Sequence, residues 1–145
     1  MKKLLFILMI LFVITGCGSR KKIISTDKAP EAIGPYNQAI VYNDIVYCSG
    51  QIAIDPTTNE FVGGDIVKQT NQVFNNIKGL LQASGSDISK VVKCNVYLTD
   101  INDFSTVNEI YASYFEGIDY PARSAVEVSN LPKGALIEIE VIAYK

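Results

Sequence analysis

Arg123 is the residue in this chain best suited to hold a small anion. It sits beside a run of alternating residues. Its planar guanidinium can grip a carboxylate through two parallel N–H donors, which a lysine ammonium cannot reproduce. The same pattern allows a plainer use, an ion pair with Glu127 or Glu138. Glu138 is the second candidate, although Glu138-Ile139-Glu140 also reads as a simple alternation with its acids in solvent. Glu140 is given no role. Tyr36 follows Gly34-Pro35, whose restricted φ stiffens the loop, so its ring is either aimed or merely packed. Ser49-Gly50 falls inside a strand pattern, where glycine marks a bulge or the close approach of a ligand or another backbone. Asn108 lies on the flank of a helical apolar stripe, and its amide needs a hydrogen-bond partner there. The chain has no histidine and only three scattered cysteines, which excludes His-based triads and leaves no transition-metal ligand set.

The elements that must position these residues follow from hydrophobic periodicity. Two strands, about 38–42 and 45–54, flank an Asn43-Asp44 turn, and a loop runs from Asp55-Pro56 to Gly64. From Asp65 the period changes: Ile66, Thr70, Val73, Ile77 and Leu80, with Phe74 and Leu81, form a helical stripe ending at Ser84-Gly85. Val92, Cys94, Val96 and Leu98 alternate as a strand. Asp103 opens a second helix with the stripe Phe104, Val107, Tyr111 and Phe115. Two last strands, 124–128 and 137–143, are joined through Asn130, Pro132 and Gly134 and read as a hairpin. With their apolar faces aligned, Arg123, Glu127, Glu138 and Glu140 share the other face. The predicted architecture is α+β, one sheet with both helices on one face. The opposite face presents Tyr47, Ala125, Ile142 and Tyr144 among charges, and the simplest cover for it is another copy of the chain.

The N-terminus reads differently. Lys2 and Lys3 precede an unbroken apolar run from Leu4 to Ile14, then Thr15-Gly16-Cys17, the layout of an export signal. The run is too short for a spanning helix, which needs about 20 apolar residues. Ile14-Thr15-Gly16-Cys17 resembles a bacterial lipobox, with isoleucine in place of the usual leucine, which favours a lipoprotein over plain secretion or a retained helix. The expected division is a signal peptide over 1–16, a tether over 17–22 starting from lipidated Cys17, and one domain over 23–145. The protein is then exported and anchored to a bacterial membrane facing the periplasm or exterior. Loss of 1–16 removes two lysines and no acids, leaving 11 basic against 15 acidic residues, a net charge of −4. That balance leaves no basic stripe for phosphates, so nucleic acid is a poor partner. Cys48 and Cys94 lie in apolar strand patterns and read as buried, inert thiols, with a disulfide as the alternative.

The segments KAPEAIGPYNQAI, CSGQIAIDP, QTNQVFNNIKGLLQASGS, VVKCNVYLTDINDF, VNEIYASYF, PARSAVEV and LPKGALIEIEVIA fall in the order found in the Rid family, the reactive-intermediate deaminases once called YjgF-like. The resemblance runs from Ile23 to Tyr144. It implies a chorismate-mutase-type fold, a homotrimer and ligand pockets between subunits. It also implies roles: Arg123 holding the substrate carboxylate, Glu138 orienting or activating water, and Tyr36, Ser49, Gly50 and Asn108 around the pocket. Ala125 stands where many relatives carry cysteine, so no thiol takes part. The implied reaction is hydrolysis of 2-imino acids or their enamine tautomers, such as 2-iminobutyrate or 2-aminoacrylate, to 2-keto acids and ammonia. It needs no cofactor or metal, because an imine is already activated. An export signal sits awkwardly with substrates that generally arise in the cytoplasm. The alternative from another class is therefore a non-catalytic, lipid-anchored protein binding small carboxylates in the same pocket. A ribonuclease activity, reported for some relatives, runs against the acidic charge.

Overall fold

The structure, a computed structural model, describes residues 21–145. The signal peptide, Cys17 and most of the tether lie outside the described residues. Strand β1, Lys22–Ile24, pairs antiparallel with β2, Ala39–Tyr42, so Lys22 belongs to the sheet rather than to the tether. β2 turns into β3, Ile45–Cys48, through Asn43 and Asp44, both at positive φ (49° and 65°). That is the two-residue hairpin turn whose twist matches its strands. β3 ends at Cys48, short of the predicted 54. Beyond it only Gln51 and Ile54 make isolated bridges, to Ile139 and Phe61.

Helix α1, Ile66–Ser84, is capped as its sequence suggests. Asp65 Oδ1 accepts from the Lys68 N–H at 2.9 Å, and Gly85 closes the helix at φ 80°. The whole predicted stripe, Ile66, Thr70, Val73, Phe74, Ile77, Leu80 and Leu81, is buried. β4, Val91–Leu98, leads through a 3-10 turn, Ile101–Asp103, into α2, Phe104–Tyr114. Asp103 makes no side-chain cap. The capping carboxylate is Asp100, which accepts from the Asn102 N–H at 2.9 Å. Aromatic rings join the helices: Phe74 stacks on Tyr114 at 4.4 Å and meets Tyr111 and Phe115 edge-on. Burying rings of this size is the largest local contribution to packing.

β5, Ala122–Glu127, and β6, Ile137–Tyr144, do not form the predicted hairpin. The sheet order is β1-β2-β3-β6-β4-β5, so β4 lies between them, parallel to β5 and antiparallel to β6. Helix α2 is the crossover that parallel neighbours require. The registry pairs Arg123 with Cys94 and Glu138 with Tyr97. Cys94, Val96, Ile137, Ile139 and Val141 point into the helix-covered core, with Ala125 packed against it. Arg123 is therefore on the helix side. Val126, Tyr47, Ile142 and Tyr144 share the open side with Asn95, Tyr97, Glu138 and Glu140. Both alternations are as predicted, but their relative phase is reversed, and Ala125 leaves the open face. The α+β class with two helices on one mixed sheet holds.

Candidate active site

The reversed phase splits the predicted site residues between two clefts on opposite faces of the sheet. The first, about 420 Å³, is lined by Ile33, Tyr36, Ser49, Gly50, Ile52, Pro132, Glu138 and Glu140. The second, about 390 Å³, is lined by Asn108, Tyr111, Ala112, Tyr120, Pro121 and Arg123.

In the first cleft the loop before β2 is folded on itself. The Tyr36 N–H donates to the Gly34 carbonyl at 2.8 Å, and the Tyr36 hydroxyl accepts from the Ile33 N–H at 3.1 Å. The ring is thus aimed, although exposed. Gln38 anchors the loop, its Nε2 donating to the carbonyls of Thr26, Ala29 and Pro30. Ser49 Oγ is engaged too, donating to the Asn37 carbonyl at 2.7 Å. Gly50 is approached by a side chain of its own chain. A Cβ there would stand 1.9 Å from Glu138 Oε1. The bare backbone therefore leaves room for the carboxyl in its present place beside the 49–51 turn, and a larger residue would displace it. Gln51, which the sequence reading passed over, holds that turn. It is buried, its Nε2 donates to the Ser49 and Gly50 carbonyls, and its backbone exchanges two hydrogen bonds with Ile139. A glutamine inside an apolar strand pattern is the signal that marks it.

Glu138 is half-buried and accepts no hydrogen bond from the described residues. Burial raises its pKa above the ordinary carboxylate value, and the nearby Glu140 charge raises it further. Glu140 is held differently. It accepts from Asn95 Nδ2 at 2.6 Å and from the Tyr97 hydroxyl at 3.2 Å, both on β4. The two acids thus sit in unlike environments, a free one pushed toward protonation and one fixed by donors.

In the second cleft the anticipated ion pairs of Arg123 do not form. Glu127 accepts from the Ile101 N–H at 2.9 Å, and Glu138 is on the far face. Among the described residues no carboxylate pairs with Arg123, so its donors are uncommitted. Its guanidinium carbon lies 4.4 Å from the Tyr111 ring centroid and 5.5 Å from that of Phe104. Asn108 Oδ1 and the Tyr111 hydroxyl are shielded from solvent and have no hydrogen-bond partner. Asn108 therefore makes no helix-to-strand tie through this oxygen. Beneath the cleft, burial pushes the Cys94 thiol up to about 11 and, in β3, the Cys48 thiol to about 12. Both thiols are buried and free, as their strand patterns suggest. Among the described residues no cluster of acids, cysteines or histidines could hold a metal ion.

This fold and this sequence have close counterparts. The profile of the family described as Endoribonuclease L-PSP matches residues 26–145. The chain belongs to that family, the Rid family. A RutC family protein of Pyrococcus horikoshii is 56% identical over 125 residues, covering 86% of this chain and 98% of the relative. A Bos taurus protein named 2-iminobutanoate/2-iminopropanoate deaminase is 50% identical over 125 residues, covering 86% and 90%. A Rid family protein of unknown function from Yersinia pestis has a solved structure that superposes with TM-score 0.85 at 56% identity, covering 87% of this chain and all of that one. The Rid core accordingly spans almost everything the structure describes, with both clefts inside it.

Proposed function

We propose that this Rid protein hydrolyses 2-imino acids, or their enamine tautomers, to 2-keto acids and ammonia. The relatives named as deaminases at about half identity supply the reaction class. The observation that carries the reading is the pair of half-clefts. One holds a cation with uncommitted donors, and the other an unpaired acid whose pKa is raised. Arg123 grips the substrate carboxylate through two N–H donors. Glu138, from the other half-cleft, holds the water that adds to the C=N carbon and takes its proton. The carbinolamine then collapses. The first water proton has by then passed to nitrogen, and as the C–N bond breaks the hydroxyl proton follows it through the same carboxylate, so that C=O forms and ammonia leaves the keto acid. A carboxyl whose pKa is raised is suited to both transfers. Asn108 faces the substrate beside Arg123, while Tyr36, Ser49 and Gly50 wall the acid side.

Because the half-clefts open on opposite faces, a complete site requires two copies, and we take the assembly to be the family's homotrimer. Tyr47, Val126 and Tyr144, each about 45% exposed on the open face of the sheet, are the surface such contacts bury. No basic stripe accompanies the clefts, and the net charge of −2 disfavours a nucleic acid substrate.

Turnover of 2-iminobutyrate, generated in situ and trapped competitively, tests the reading alongside calorimetric binding of 2-ketobutyrate. Arg123→Ala should abolish both, and Arg123→Lys should restore little. Glu138→Gln should bind within a few fold of wild type yet turn over about 10²-fold more slowly. Binding without any rate above the uncatalysed reaction identifies a carboxylate-binding protein instead.

The leader adds a location. Ile14-Thr15-Gly16-Cys17 supports an exported form anchored through lipidated Cys17, and three anchors on one trimer hold far more firmly than one. Intact mass of the membrane-extracted protein decides this. A mature species lacking diacylglycerol removes the anchor.

A further inference from the structure

Arg123 can hold a carboxylate only if something else holds Arg123. A free arginine side chain loses up to about 2 kcal/mol of rotamer freedom when it is fixed. A neighbouring acid is the usual restraint, but it would occupy the same N–H donors that a ligand needs. Here the restraint is aromatic. Tyr111 and Phe104 lie two turns apart on one face of α2, with ring centroids 4.4 Å and 5.5 Å from the guanidinium carbon. A cation over a ring face is attracted without spending its donors.

Tyr111 is itself immobilised. It is 4% exposed, stacks on Phe115 at 4.7 Å and meets Phe74 edge-on at 5.7 Å, with Tyr120 at 6.4 Å. Its hydroxyl gains nothing comparable. That oxygen is buried with no hydrogen-bond partner at full strength, only the Cys94 thiol, a weak donor and acceptor. The cleft is served by the ring, and the hydroxyl is a cost left in the core.

We propose that Tyr111, flanked by Phe104, is a positioning residue for Arg123, presenting the guanidinium to the substrate carboxylate with all its donors available. This rests on the carboxylate-gripping role proposed for Arg123, and the test separates the two. The chain has two arginines, Arg20 and Arg123, so the full chain labelled with ¹⁵N-arginine gives two Nε–H resonances, distinguished by Arg20→Lys. Tyr111→Phe should leave the ring-shifted Arg123 resonance in place, keep the Kd for 2-ketobutyrate within about twofold, and melt no lower than wild type. Tyr111→Leu should lose the ring shift and raise both that Kd and the KM for 2-iminobutyrate by about 5- to 30-fold, with kcat changed much less. Phe104→Leu, at a partly exposed position that can be vacated without opening the core, should give a smaller rise of the same kind, and it judges the proposal if Tyr111→Leu does not fold. Unchanged binding and an unmoved resonance in the leucine variants overturn the proposal. So does a Tyr111→Phe variant as impaired as Tyr111→Leu. If wild type shows the ring shift but no turnover, the deaminase reading fails while the aromatic support of Arg123 stands.

Discussion

At Glu138 burial works against the fold and in favour of the proposed chemistry. Its folded pKa lies above the ordinary 4.5, first through burial and then through Glu140. Below that ordinary value the carboxyl is protonated whether the chain is folded or not, and Glu138 imposes no electrostatic penalty. As pH rises through the folded pKa, the native state must hold a half-buried anion beside another, whereas the unfolded chain holds it in water. Stability contributed at this position is therefore present at low pH and lost toward neutrality. Glu138→Gln should raise the thermal midpoint at about pH 7, with the gain vanishing below about pH 4.5. Melting curves of both proteins across that range check it, and a glutamine variant melting at or below wild type near neutrality refutes it. The residues chosen for their chemistry, Arg123, Glu138, Tyr36, Ser49, Gly50 and Asn108, all line one of the two clefts. Tyr111 was not legible, because it looked like part of an apolar stripe and only tertiary neighbours give it a site to support. Gln51 did carry a signal, a polar residue inside an apolar strand pattern, but what it holds depends on the fold.

Between elements, what was legible was period and what was not was adjacency. Both helices announce themselves through 3.6-residue spacing, and α1 also through its flanking caps, Asp65 and Gly85. Alternation likewise tells which strand residues share a face, but it carries no information about which strand lies alongside. Asn130, Pro132 and Gly134 suggested a hairpin turn, yet that segment is a longer connection with its own 3-10 turn, and β4 occupies the space between β5 and β6. β5 is an edge strand, so a charged side chain on its core side can lie under α2 at the margin of the core rather than inside it. Contacts between elements also set tolerance to change. A Cβ at Gly79 of α1 would meet the Lys28 carbonyl at 2.1 Å, in the segment that Gln38 pins and that leads to Tyr36. Backbone must shift to admit it, so Gly79→Ala should cost about 1–3 kcal/mol despite alanine's better helix propensity. Chemical denaturation measures this, and a stabilised variant refutes the close approach.

For the whole molecule the decisive property is that one copy carries Arg123 and Glu138 in separate clefts on opposite faces of the sheet. If each working site joins the Arg123 side of one copy to the Glu138 side of the next, two inactive variants must rescue each other. Refolding an equal mixture of Arg123→Ala and Glu138→Gln chains should restore about one quarter of wild-type turnover. Three of four random trimers are mixed, and each mixed ring contains a single intact junction. Activity that stays at the level of the separate variants places both residues in one chain's site and refutes the shared one. The order of the strands has a further consequence, for how the protein comes into being. β6, the last strand in sequence, sits in the interior of the sheet between β3 and β4, and it carries Glu138. The middle of the sheet therefore cannot assemble before the ribosome delivers β6, and until then the nascent polypeptide has no complete core to fold around.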